Sequence, residues 1–170
     1  LSMSSAKVGD SQIRLMPFAQ LTEWKQNGDT IEATVKGWQQ AGAESLIYQQ
    51  MGKRIIVGIL DDGAAAHINV IQTLHDDVTG SDWKEITLAV NLDKTALTSD
   101  INVLNQYGKS LDQTYCSTCH APIAADHYTA NQWVGVINSM KDRTSMSDAE
   151  VRAVTIYLQH FAKDMAPTKP

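Results

Sequence analysis

At 170 residues, with 43% hydrophobic and 19% charged side chains, the chain has globular composition and can bury a core without staples. Its net charge of −5 lacks the basic footprint that phosphate backbones demand, so no nucleic-acid partner is expected. No run approaches the about 18 consecutive apolar residues of a membrane span, and the opening Leu1-Ser2-Met3-Ser4-Ser5 has neither the basic nor the apolar region of a signal peptide.

Up to about residue 98 the patterning is that of strands. Ile31-Glu32-Ala33-Thr34-Val35 alternates apolar and polar with period two. Leu46-Ile47-Tyr48 and Ile55-Ile56-Val57-Gly58-Ile59-Leu60 flank Met51-Gly52-Lys53-Arg54, which reads as a hairpin turned at Gly52. Glu85-Ile86-Thr87-Leu88-Ala89-Val90 places Ile86, Leu88 and Val90 on one face. Gly28, Gly37, Gly42, Gly63 and Gly80 punctuate these runs as turns would. Short strands without intervening helices predict a small antiparallel barrel or sandwich over residues 1–98. His67 and His75 fall in this half as surface or turn residues.

From about Ser99 the period becomes helical, which makes the whole chain α+β. Thr98, Ser99 or Asp100 can cap a helix whose apolar stripe is Ile101, Leu104, Gly108, Leu111 and Tyr115. A second helix is predicted from Asn131 to about Lys141, with Trp133, Val136, Ile137 and Met140 on one face. Ser147-Asp148-Ala149-Glu150 is a capping box, and Val151, Val154, Leu158 and Phe161 form the stripe of the helix it starts. Gly108 and Tyr157 suit a close crossing of the first and last helices. Residues 99–170 thus read as a separate, small helical domain.

The only two cysteines stand in Cys116-Ser117-Thr118-Cys119-His120, the C-x-x-C-H spacing of a c-type haem attachment site. Two thiols three positions apart reach the two vinyl groups of one haem edge, and the adjacent imidazole becomes the proximal iron ligand. A thioredoxin-type pair would call for a βαβ context, which is not seen here. A structural zinc site would need four ligands from Cys116, Cys119, His120 and His127, with His120 badly placed beside Cys119. A plain disulfide or a chance match are the remaining alternatives. One covalent haem c is the expectation, which makes residues 99–170 a monohaem c-type cytochrome domain.

The sixth iron position sets the redox chemistry, because a thioether favours a higher potential than a second imidazole. Met140 shares a helix face with Trp133 and Ile137 and is the expected ligand, with the Trp133 ring near the haem excluding water. Met146 precedes the cap Ser147 and pairs with Val151 as a hydrophobic staple, which accounts for it structurally. His127 reaches the far haem face only through a wrapping loop. His160 reads as an exposed or helix-terminal histidine.

Tyr115-Cys116-Ser117-Thr118-Cys119-His120, Tyr128-Thr129-Ala130-Asn131-Gln132-Trp133, Met140 and Ile156-Tyr157-Leu158-Gln159-His160 together carry a family likeness. They resemble the C-terminal monohaem region of pentahaem c-type cytochromes of the trimethylamine N-oxide respiratory system. Gly37-Trp38-Gln39-Gln40 and Gly52-Lys53-Arg54-Ile55 are similar to the β-rich stretch before that haem. The resemblance implies a periplasmic electron carrier. Its donor would be a membrane-anchored tetrahaem portion fed by quinol, and its acceptor a periplasmic molybdenum reductase. A link to sensing by the cognate regulatory kinase is also implied. With one C-x-x-C-H motif, this chain reads as an excised domain or as a separate soluble cytochrome.

Two function classes follow. One is a six-coordinate carrier, favoured because no catalytic constellation such as a distal His-Arg pair is visible. The other is a five-coordinate haem sensor or peroxidase-like enzyme, which needs Met140 off the iron. Covalent haem attachment in bacteria occurs outside the cytoplasm, so the expected location is the periplasm, with an export signal or anchor already removed.

Overall fold

A computed structural model of the chain describes residues 4–165. Part of the stretch read for a leader, residues 1–3, lies outside it. The chain divides after Ser99 into two compact units.

The first unit holds β1 (Ser4–Val8), β2 (Ser11–Leu15), β3 (Leu21–Asn27), β4 (Thr30–Gln40), β5 (Leu46–Tyr48), β6 (Ile56–Leu60), β7 (Asn69–Asp76) and β8 (Ser81–Asp93). All pairings between them are antiparallel. Six strands close a ring in the order β4-β5-β6-β2-β1-β8, since β8 returns to β4, while β3 and β7 flank it. The expected α+β arrangement, a small antiparallel barrel followed by helices, is what forms.

Closure rests on the long β4–β8 ladder, which runs from Thr30↔Asp93 to Gln40↔Trp83. Strand β4 alternates along its whole length, and β8 does so from Glu85 to Asp93. Ile31, Ala33 and Val35 point inward from β4, and Ile86, Leu88, Val90 and Leu92 from β8, while Glu32, Lys36 and Asn91 stay exposed. These join Val8, Ile13, Ile47 and Leu60 in one core. Each such buried aliphatic contributes roughly 1.5–3 kcal/mol.

Gly28, Gly42, Gly63 and Gly80 take the positive φ expected of turns, and so does Gly52 in the β5–β6 hairpin. Gly37 is a correction. It lies inside β4, where a Cβ would stand 2.4 Å from Ile47 Cγ2 and 2.7 Å from the Tyr48 carbonyl oxygen. Its role is the close approach of β5, not a turn. His67 is exposed in a short 3₁₀ turn with its ring over Gly9, and His75 is exposed with Nδ1 2.8 Å from Asp82 Oδ1.

The second unit holds α1 (Ile101–Tyr115), α2 (Ala130–Met140) and α3 (Asp148–His160). Asp100 caps α1 by accepting the Asn102 N–H at 2.9 Å. Reciprocal capping boxes start α2 (Thr129 with Gln132) and α3 (Ser147 with Glu150). Helices α1 and α2 both pack on α3, which buries Ala153, Val154, Ile156, Leu158 and Gln159. The buried Gln159 amide donates to the Ala130 carbonyl at 3.0 Å and so joins α3 to the start of α2. Phe161, expected in the buried stripe, instead follows the helix as its C-cap and is 45% exposed. The α3 stripe ends where the helix ends. No helix among the described residues is long and apolar enough to cross a membrane.

Candidate haem site

Cys116 is the C-cap of α1, and its backbone N–H still bonds the Asp112 carbonyl one turn back. The chain then tightens into a 3₁₀ turn over Cys116–Thr118. Two side chains wrap that turn back onto α1: the Ser117 hydroxyl donates to the Gln113 carbonyl, and the Thr118 hydroxyl to the Thr114 carbonyl at 3.0 Å. The short polar residues between the cysteines therefore complete the end of the helix. Tyr115 fixes the same end from another side, its hydroxyl donating to Glu150 Oε1 of α3 at 3.3 Å.

Cys116 and Cys119 are free thiols, the first half-buried and the second exposed. Burial pushes the Cys116 thiol up to about 12, and the Asp112 carboxylate, bonded to it and negatively charged, adds to the rise. A nucleophilic redox pair needs the reverse, a thiol lowered at a helix N-terminus or beside a cation. This cysteine stands at a helix C-terminus beside an anion. Among the described residues no three His, Cys, Asp or Glu side chains gather as a bare metal ion would require, so the four-ligand zinc cage has no assembled donor set.

His120 is exposed, and its Nδ1 lies 2.7 Å from the Ala121 carbonyl oxygen. A carbonyl oxygen only accepts, so Nδ1 carries the proton, and in the neutral ring Nε2 holds the lone pair. That is the tautomer a metal-binding imidazole uses, with an outer hydrogen bond fixing the ring. Two free thiols and this imidazole suit covalent haem, and Ser117 to Pro122 are all exposed.

The loop after the motif carries a 3₁₀ turn at Ala125–His127 and ends at Thr129, the cap of α2. Trp133, one turn into α2, is 2% exposed and donates its indole N–H to the Ala125 carbonyl at 2.7 Å. The Tyr128 ring meets Trp133 edge-on at 5.1 Å, and the exposed His127 ring meets Tyr128 at 4.6 Å. Met140 is half-buried at the last position of α2, two turns beyond Trp133 on the face that also buries Ile137. Met146 is half-buried directly before the Ser147 cap. His160 is the last residue of α3 as expected, but it is partly buried instead of exposed, and burial lowers its pKa to about 4.

Three contributors are absent from the motif itself: the Asp112 carboxylate and the carbonyls of Ala121 and Ala125. The four-residue step from Asp112 to Cys116 on a helix is a sequence signal for the first. Backbone carbonyls leave no such signal.

The family model described as "TorC third cytochrome c domain" matches residues 2–97. That segment takes in all the strands of the barrel, and it contains no cysteine. The chain is 60% identical over 156 residues to the cytochrome c-type protein TorY of Haemophilus influenzae, covering 92% of this chain and 42% of that protein. It is 37% identical over 149 residues to TorY of Escherichia coli O157:H7, covering 88% and 40%. It is 28% identical over 153 residues to TorC of Escherichia coli K12, covering 89% and 39%. The chain therefore spans about two fifths of the length of these relatives. No solved structure gives a significant match.

Proposed function

The chain belongs to the TorC/TorY family of cytochrome c-type proteins, and on that premise we propose that it is an electron carrier with one haem c held by Cys116 and Cys119. The helical unit after Ser99 is the monohaem cytochrome domain, with His120 as proximal ligand, Met140 as distal ligand and Trp133 screening the site from water. The barrel, residues 1–98, is a separate domain without a thioether site. The observation that carries this reading is the His120 geometry: Nδ1 is committed to the Ala121 carbonyl and Nε2 is left to accept a metal.

When bound, the haem supplies a one-electron iron couple. The residues supply everything else. Cys116 and Cys119 would hold the group, each thiol supplying the sulfur of one thioether and its hydrogen to the neighbouring vinyl carbon, so that attachment would consume no oxidant. The Ala121 carbonyl strengthens His120 as a donor. The thioether of Met140 favours the reduced iron relative to a second imidazole. No proton relay is required, since the group only gains and loses an electron.

The proposed donor is a tetrahaem, quinol-linked cytochrome portion, and the proposed acceptor a molybdenum reductase of N-oxides or S-oxides. Covalent haem maturation places the carrier in the periplasm. The oxidised and reduced spectra of the matured protein test this. One low-spin haem c per chain, with a sulfur-to-iron charge-transfer band in the ferric form, is the expected result. A high-spin ferric spectrum would replace the carrier with a five-coordinate sensor or peroxidase-like protein. Electron transfer to purified trimethylamine N-oxide reductase tests the acceptor.

A further inference from the structure

We propose that Trp133 is a positioning residue for His120: its indole N–H holds the 121–128 loop where the Ala121 carbonyl meets His120 Nδ1. This rests on the reading of His120 as the proximal ligand.

The loop needs such an anchor. Ala121, Pro122, Ala124, Asp126 and His127 are exposed, so little apolar burial fixes this stretch. Pro122 has no N–H to give. The bond from the His127 N–H to the Ala124 carbonyl, 2.9 Å, is internal to the loop. At the far end the Lys163 N–H reaches the Tyr128 carbonyl at 3.1 Å. Between His120 and that point, the Trp133–Ala125 bond ties the loop to a helix, four residues from the Ala121 carbonyl.

The indole itself is rigidly placed. Trp133 is in the first turns of a helix with a complete capping box, it is 2% exposed, and the Tyr128 ring stands edge-on to it. Its N–H is buried, so giving up Ala125 would leave a donor without water to replace the acceptor. The latch therefore holds the loop in one position, and the loop holds the imidazole. A tryptophan that served only as core filling would need ring volume but not the N–H.

The test uses the haem-free 170-residue chain with reduced cysteines, and then the haem-loaded chain. In Trp133→Phe, nitrogen shifts of the His120 ring should move from Nδ1–H toward a mixture with Nε2–H. Amide exchange over residues 123–127 should quicken about tenfold. Once loaded with haem, this variant should show a more positive midpoint potential, because an imidazole without its outer hydrogen bond is a poorer donor to ferric iron. Tyr128→Leu removes the ring contact but keeps the indole bond, and it should leave the His120 shifts as in the parent. A folded Trp133→Phe that retains Nδ1–H and parental loop exchange overturns the proposal.

Should Trp133→Phe fail to fold, the parent chain decides the question. The Trp133 indole proton and the loop amides should exchange with one common protection factor, and an indole proton that exchanges far faster than the loop overturns the latch. Because the first readouts need no haem, a working latch in a chain that never loads haem would reject the carrier reading alone. A normal haem spectrum without the latch would reject this inference alone.

Discussion

Gly108 on α1 faces the root of the Tyr157 ring on α3 so closely that a Cβ would stand 2.4 Å from Cγ and 2.5 Å from Cβ of that tyrosine. The crossing of these helices exists because position 108 has no side chain. The obstructing atoms are the base of the ring, not a flexible tip, so the tyrosine cannot swing aside.

Gly108→Ala should therefore destabilise the helical unit. An alanine gains about 1 kcal/mol of helix propensity, but overpacking a tight contact costs about 1–3 kcal/mol. In a Tyr157→Ala background the obstruction is gone and the same substitution should stabilise. Urea unfolding of the four chains measures both effects, and the absence of a sign reversal would show that Tyr157 is not what position 108 meets.

That crossing was legible in the sequence because both residues fall on strongly periodic helices. The Ser147–Glu150 cap and the inward Ile86, Leu88 and Val90 of β8 were legible for the same reason: each pattern is dictated by local geometry. Strand β7 was not. Asn69 to His75 are all exposed, with Val70 and Ile71 about half exposed, so no alternation marks it, and a bulge between Val70 and Gln72 breaks its register. The five-residue β1 and β2 offer too few positions to show a period. Gly37 was misread because a glycine signals a turn and a close approach in the same way, and only the position of β5 separates them. At the proposed site, Cys116, Cys119 and His120 are candidates by spacing, while the carbonyls of Ala121 and Ala125 are set by the loop path alone.

Gly37→Ala should cost more than Gly108→Ala. Its Cβ would meet the Tyr48 carbonyl at 2.7 Å as well as Ile47 Cγ2 at 2.4 Å, and a backbone oxygen in a closed barrel has little room to retreat. The barrel should lose about 2–3 kcal/mol, the upper end of overpacking costs, read as a lowered urea midpoint with an unchanged slope. A cost below that of Gly108→Ala would mean that β5 can shift away from β4.

Stability should fall as pH falls from about 6.5 toward about 4, owing to His160. Its ordinary pKa of 6.5 drops to about 4 because burial disfavours the charged ring. Between those values the unfolded chain takes up a proton that the folded chain refuses, so acid favours unfolding and stability rises with pH. Glu150 is held below its ordinary 4.5, chiefly by the Ser147 hydroxyl, and its contribution is lost only at lower pH. His160→Gln should flatten the stability curve between about pH 6.5 and 4.5 and leave the more acidic part intact. An unchanged slope in that window would assign it to other groups.

The remaining prediction separates the candidates for the sixth iron ligand. Met146 has a structural task, since it enters the Ser147–Glu150 capping box and stands at staple spacing to Val151. Met146→Ala should cost about 0.5–1 kcal/mol of stability and leave the haem spectrum unchanged. The His127 ring is engaged edge-on with Tyr128, and His127→Ala should likewise keep the ferric charge-transfer band. Met140 closes α2 on the same face as Trp133 and Ile137, and the chain turns sharply after it at Lys141–Arg143. That leaves its thioether at the exit of a helix, without a capping or staple role to occupy it. Met140→Ala should abolish the charge-transfer band and lower the midpoint potential, because water or an imidazole stabilises ferric iron better than a thioether does. If the Met140 variant keeps the band and the Met146 variant loses it, the ligand moves to the entrance of α3 and the carrier remains a His/Met cytochrome. If instead the parent shows no such band and only the His127 variant changes its low-spin spectrum, the carrier becomes a low-potential bis-histidine one.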